Sequence, residues 1–425
     1  MSLPLFEKID DLDENVLHPK FKFLRDEISV LGERNIVENW TDNFIDRDNK
    51  IVKEFQTSFH SAFWEFFLFA LMKKCNYKID FSHNRPDFII SYPFQAYIEA
   101  VVSEIKKGGK DEAKRSIDDI LSMTRPFANN KEFSSIIDEA IVRHSNSFLS
   151  KKKKYVEYLT EPWVNSSTPY IIAISSYDQI NYGKEFYYSM MALLYGKYYN
   201  PETECYSNKN EILKPGTNSP IPIGLFNDNQ HEEISAVIFS CSITLGKLSA
   251  LAKSNGASTN INTIIQIKLD DGPIYRVKEI NQECPEELED GVFIFYNPYA
   301  KNPLKNDLFK NSCVVQVRGP QNIKSNDLPT VSRFNGIIPK AIKEKFFISV
   351  MESFNPGFDF FEITRIENNK IELKEENSAM SVCADLSPII RKKINDERIK
   401  VGDILYAKIK KTNPTSFFLE KFLKI

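Results

Sequence analysis

Residues 86–102 read PDFIISYPFQAYIEAVV, two apolar runs joined by the link Pro93-Phe94-Gln95. Both runs are short and rich in β-branched and aromatic residues, so the segment reads as a β-hairpin. Each run also carries one acid, Asp87 or Glu99. A carboxylate in an apolar strand is costly unless it is paired or bound to a metal. With the turn on Pro93 to Gln95 and Tyr92 facing Ala96, Ile89 stands opposite Glu99 and Asp87 opposite Val101, and all four share one face of the sheet. The diagonal from Asp87 to Glu99 is then on the order of 7 Å at the β-carbons. Two carboxylates at that spacing can share one cation. The plainer alternative makes Asp87 a turn cap after Pro86 and Glu99 a solvated strand residue, and a shift of register by one residue would part them.

Working outward, the stretch FHSAFWEFFLFALMKK (59–74) contains no Gly or Pro and predicts a core helix that Ser58 caps. Ser58, Ser61 and Glu65 form its narrow polar stripe, which faces either the two acids or solvent. YKIDFS (77–82) adds a strand before the hairpin. After it comes a charged insertion, 106–130, with a small helix expected at 113–123, then a long helix at about 133–159. PYIIAISS (169–176) is a continuous apolar strand, as expected at the centre of a sheet covered on both faces. A helix at 186–198 and the apolar strands ISAVIFSCS (234–242) and NTIIQIKL (262–269) follow. The fold class is therefore α/β: an αβββαβ core with a mixed sheet flanked by helices, plus a small, mostly β C-terminal domain. The expected divisions are an arm at 1–53, the main domain at 54–331 and the small domain at 332–425. In the last, DFFEITRIENNKIELKE (359–375) is a strand, a turn and a strand, and two more strands lie within 400–422.

The 425 residues suit two or three domains, and 12% aromatic content provides ample core. A net charge of -3 gives no overall positive field, so any contact with nucleic acid has to come from local patches. The six cysteines are scattered without a C-x-x-C pair, which points to reduced thiols and a cytoplasmic location. The acidic N-terminus does not resemble a signal peptide, and the most apolar stretch is well short of the roughly 20 residues that span a bilayer. Neither secretion nor a membrane partner is expected. No Walker loop, H-E-x-x-H or G-x-S-x-G motif occurs.

Helix, three strands, helix and strand, with a literal Pro86-Asp87 and a later Glu99, resemble the PD-(D/E)XK (restriction-endonuclease-like) nuclease superfamily over about Ser58 to Ser176. The resemblance implies a nuclease that hydrolyses phosphodiester bonds of DNA or RNA, with Asp87 and Glu99 holding Mg²⁺ (or Mn²⁺) and the helix residue Glu65 assisting. It also implies a bacterial defence or restriction role. The superfamily's lysine two residues after the second acid is missing, because Val101 stands there. Members can carry that lysine on a neighbouring element, and the run Lys151 to Lys154 on the second long helix offers one. Ile137, Ile141, His144, Phe148, Tyr155 and Leu159 trace that helix's inward stripe. Lys151 is preferred as the catalytic lysine, with Lys152 next in phase. A solvated helix face or a phosphate-contacting patch is the other reading of the run.

In the tail, KVGDILYAKI (400–409) resembles a strand of an S1-like OB barrel, which implies a single-strand-binding surface built from Tyr406, Lys408, Lys410 and Phe418. A homodimer contact is the alternative use of that barrel. The alternative for the whole chain is a catalytically silent nuclease-fold module that binds nucleic acid or a protein.

Overall fold

The computed structural model describes residues 1–425 except 1–2, 11, 106–107, 110–111, 117, 120–125, 127–131, 177–179, 182, 258–260, 270–273, 306, 311, 320–321, 326, 328, 376–379, 414–415 and 425. The chain forms two compact units, Met1–Lys268 with Lys278–Pro339, and Leu269–Val277 with Lys340–Ile425. The sequence suggested a cut at 331/332.

Four helices lead the first unit: α1 Pro19–Asp26, α2 Leu31–Trp40, α3 Ile51–Thr57 and α4 His60–Lys74. The arm of mixed structure expected at 1–53 contributes to the core. Leu17, Phe21, Leu24, Val37 and Trp40 enter the same buried cluster as the α4 residues Phe63, Trp64 and Phe67. Ser58 closes α3 and makes no cap for α4. The chain reverses instead through Phe59, held at a φ of 61° while its ring stacks on Phe63 at 5.1 Å. On α4 Ser61 is exposed and Glu65 half-buried, while the rest of its first three turns is buried.

The strands β1 Lys78–Asp80, β2 Phe88–Tyr92 and β3 Ala96–Val102 follow. A 3-10 turn at Glu112–Lys114 is described within the insertion, and of the helix expected at 113–123 residues 117 and 120–123 lie outside the described residues. The long helix α5 spans Phe133–Tyr158 and leads into β4, Tyr170–Ser175, buried at all six positions as a central strand requires. Helix α6, Tyr188–Tyr195, is shorter than expected because Gly196 takes a left-handed conformation (φ 65°) and turns the chain. Two hairpins come next, β5 Lys197–Asn200 with β6 Cys205–Asn208, and β7 Glu211–Leu213 with β8 Pro220–Pro222. The unit continues through β9 Ala236–Ser240, α7 Leu245–Ser254 and β10 Thr263–Leu269. After β11, Tyr275–Glu279, come β12 Phe293–Tyr296, β13 Val315–Val317, β14 Ile323–Lys324 and β15 Thr330–Gly336, the last pairing with β10.

Eight strands make one mixed sheet in the order β1-β2-β3-β4-β9-β12-β13-β14. Strands β3, β4 and β9 run parallel, while β2 meets β3 antiparallel. Because side chains alternate across a strand, Phe88, Ile90, Ile98, Ala100 and Ala173 face α4, whose Trp64 donates Nε1–H to the Ala173 carbonyl at 3.0 Å. The opposite face carries Tyr97, Glu99, Tyr170 and Phe239. It is covered by α5, whose Tyr155 stacks on Tyr170 at 4.1 Å and whose His144 meets Phe239 at 5.2 Å.

The second unit holds α8, Lys343–Phe354, and a closed five-stranded barrel. Its strands are β16 Asp359–Ile366, β17 Lys370–Glu375, β18 Ser381–Asp385, β19 Ile404–Asn413 and β20 Ser416–Lys424. They close in the order β16-β17-β18-β20-β19, and helix α9, Pro388–Asp396, lies between β18 and β19. Ser387 caps that helix by accepting from Ile390 N–H at 3.1 Å. Residues 274–277 are built into this unit. Ile274 packs with Met351, Phe358, Tyr406 and Leu423, and the Asn355 amide both accepts from Tyr275 N–H and donates to the Tyr275 carbonyl, each at 2.8 Å. Tyr406 is 1% exposed with its ring between Phe358 and Phe360, so it belongs to the core and not to the expected binding surface.

Candidate active site

The hairpin pairs Phe88 with Ile98, Ile89 with Tyr97 and Ile90 with Ala96. This register differs by two residues from the one expected, because the turn is wider than Pro93 to Gln95. Since two residues is one full side-chain period, the acids keep their common face, and Asp87 now precedes the strand directly opposite Glu99. Asp87 Oδ2 accepts from the Ala100 N–H at 2.7 Å, and its Oδ1 makes no hydrogen bond among the described residues. The loop before it is held by Arg47, whose guanidinium donates to the carbonyls of His83, Pro86 (3.2 Å) and Asp87 (2.8 Å). Arg47 comes from the segment that the sequence left without function.

Glu99 is 1% exposed and is met by three donors from α5. Lys151 Nζ reaches Oε1 at 2.8 Å, Lys154 Nζ the same oxygen at 3.2 Å, and the Tyr158 hydroxyl donates to Oε2 at 3.1 Å. Of the two candidate lysines, Lys151 is therefore the one that reaches Glu99. Lys152 turns away to the Gln230 carbonyl (2.7 Å), His231 Nδ1 (3.0 Å) and Glu233 (2.7 Å). Lys154 belonged to the candidate run without being singled out and Tyr158 went unnamed, although both lie on the Lys151 face of α5 by the helical spacing of three and seven. Leu159, expected to point inward, is 40% exposed, and Tyr158 takes that place.

Glu65 approaches from α4 and makes no hydrogen bond or ion pair among the described residues. Its carboxyl is pushed well above the usual range by burial, then by the charges of Asp87 and Glu54, against a smaller pull from Lys151. Burial and the neighbouring Glu99 push Asp87 up to about 6, with Lys151 and the Ala100 N–H opposing. Burial disfavours the ammonium of Lys154, yet the Glu99 carboxylate holds it above its ordinary value. The three carboxylates thus feel one another's negative charge, and two lysines bond Glu99.

The donor set suits a hard divalent cation, since it consists of carboxylate oxygens whose mutual repulsion a cation would relieve. Among the described residues no group of three or more His, Cys, Asp or Glu side chains is drawn together at metal-holding distance. Mg²⁺ needs only one or two carboxylates, because it keeps several waters and takes further oxygens from a phosphate. All six cysteines are free, and no described helix is long and apolar enough to cross a membrane. A scan of family models, a search of curated proteins and a search of solved structures each return no match to this chain.

Proposed function

We propose that the first unit is a Mg²⁺-dependent nuclease with a PD-(D/E)XK-type core, cutting phosphodiester bonds of DNA or RNA, with Mn²⁺ able to replace Mg²⁺. The observation that carries this reading is the buried Glu99, standing opposite Asp87 with Lys151 Nζ 2.8 Å from its carboxylate. Asp87 and Glu99 would hold the cation, assisted by Glu65. When bound, that cation supplies positive charge against the phosphate and makes an attacking water more acidic. Lys151 replaces the lysine absent at Val101: it comes from a helix and not from the strand, but meets the same carboxylate. Together with the half-exposed Lys154 it attracts the phosphate and orients the nucleophile. Arg47 is a positioning residue, fixing the loop from which Asp87 projects.

In the second unit the closed five-stranded barrel supports the S1/OB-like reading. Lys410 and the half-exposed Phe418 are cross-strand partners on its surface and would grip a nucleic-acid strand. Six free thiols suit a reducing cytoplasm. A defence or restriction role follows from the nuclease reading alone.

One observation favours the silent alternative. The Glu99 oxygens are already engaged by Lys151, Lys154 and Tyr158, so the cluster could serve only as a buried ion pair. Calorimetric titration with Mg²⁺ and Mn²⁺, alongside cutting assays on DNA and RNA, decides between the two. A nuclease shows a site lost in Asp87→Asn and Glu99→Gln, together with cutting lost in both; a silent module shows no carboxylate-dependent binding and no cutting.

A further inference from the structure

Beside the carboxylates lies a cleft of about 510 Å³, bounded by the end of β3, one flank of α5 and the loop that follows β7. It adjoins the candidate site from two directions. Val101, on its wall, shares a sheet face with Glu99 and stands about 7 Å further along the strand at the usual rise per residue. On α5 the lining residue Ser150 directly precedes Lys151.

The chemistry of the lining restricts what fits. Val101, Val142 and Pro215 give it apolar walls, and the exposed Asn146 and Ser150 add an amide and a hydroxyl. Its charges balance, Glu104 and Glu139 against Arg143 and Lys214. The Arg143 guanidinium is also committed, to Glu139 at 3.3 Å and to the fully buried Glu185 at 3.5 Å. A phosphate seeks surplus positive charge, and this cleft has none. A nucleobase suits it better, being neutral, with an apolar face for the walls and an edge of donors and acceptors that an asparagine amide can pair with. The volume lies within the range of small-ligand pockets, roughly 300–1,000 Å³.

We propose that this cleft takes the nucleobase adjoining the scissile phosphate, so that the substrate is a strand that is single or locally unpaired at the cut. This rests on the nuclease reading above. A base in a duplex cannot enter, because it is stacked and its pairing edge is occupied; it must first leave the helix. The charge pattern is then divided sensibly, with phosphate at Lys151 and Lys154 and the neutral base beside them.

The test uses the full-length protein with Mg²⁺ or Mn²⁺ and one oligonucleotide sequence, offered single-stranded and as a duplex, in DNA and RNA forms. The wild type should favour the single strand by about tenfold or more in kcat/KM, the worth of one base contact. Asn146→Phe, which fills the cleft from an exposed helix position, should raise KM about tenfold or more while calorimetric Mg²⁺ affinity stays unchanged. Asn146→Ala should relax base preference at one position beside the cut. Equal cutting of single strand and duplex, together with wild-type KM in Asn146→Phe, overturns the base-cleft assignment and leaves the nuclease reading standing. Failure of the wild type to cut any of the four substrates overturns the nuclease reading itself.

Discussion

Replacing Asp87 with asparagine should change how stability depends on pH, and the direction follows from the electrostatics of the site. Without metal, the Asp87 carboxyl in the folded protein keeps its proton up to about pH 6, whereas in the unfolded chain it ionises near its ordinary 3.8. Between these values the native state binds more protons than the unfolded state. Native stability contributed by this group is therefore fully present below 3.8 and is lost as pH rises through 6. The gap corresponds to roughly 3 kcal/mol at 1.36 kcal/mol per pH unit. Asp87 is partly solvent-exposed, which reduces the expectation to about 1–2 kcal/mol. Asp87→Asn is neutral throughout and lacks this slope. Urea unfolding with EDTA, from about pH 4 to about pH 8, should show the variant gaining on the wild type by that amount. Saturating Mg²⁺ should reverse the order at the upper end, because only the wild type retains the charge that binds it. A stability difference that is constant across the range, or that narrows as pH rises, would refute this account of the Asp87 carboxyl.

Lys151→Met should lower cutting by about tenfold or more, whereas Lys152→Met should leave it near wild type, since Lys152 is tied to Glu233 and the Gln230 carbonyl; single-turnover assays of the two variants compare them. Glu99→Gln should remove Mg²⁺ binding in a calorimetric titration while costing stability, because Lys151 is then left half-buried without its counter-charge. Lys410→Ala with Phe418→Ala should weaken nucleic-acid binding and flatten its salt dependence by about one phosphate contact, read by filter binding at several salt concentrations. Asn355→Ala should destabilise the barrel unit by about 1–3 kcal/mol in denaturant unfolding, since both hydrogen bonds between the Tyr275 backbone and the Asn355 side chain are lost.

Alternation and helical period carried much of this architecture. The mixed α/β class, the hairpin, the wholly apolar β4 and the long α5 were legible because each is a long, strongly patterned segment. The hairpin register was not, because turn width depends on backbone geometry that Pro93-Phe94-Gln95 alone does not specify. The shared face of Asp87 and Glu99 survived because parity is unaffected by a shift of two. Residues 1–53 gave only an arm of mixed structure, since α1 and α2 are short and their apolar residues gain order from packing on α4. Arg47 could not be tied to Asp87 from the sequence, since nothing local links a loop arginine to a carbonyl 40 positions later. Tyr406 misled for the reverse reason: alternation along β19 assigns it to a face, and only Phe358 and Ile274 reveal that this face is covered.

The way residues 274–277 are woven into the second unit limits how the protein can be taken apart. A barrel appended to an enzyme by simple gene fusion would come away with one cut in the linker. Here a cut after Pro339 leaves Ile274 and Tyr275 on the other fragment, so the separated C-terminal piece lacks an inner wall beside Met351 and Tyr406, and Asn355 loses the backbone it clasps. A protease nick at that point would yield two polypeptides that stay associated, and a split gene would need both products to be made together. A workable excised barrel would need the 269–277 peptide grafted onto it, as a circular permutation would provide.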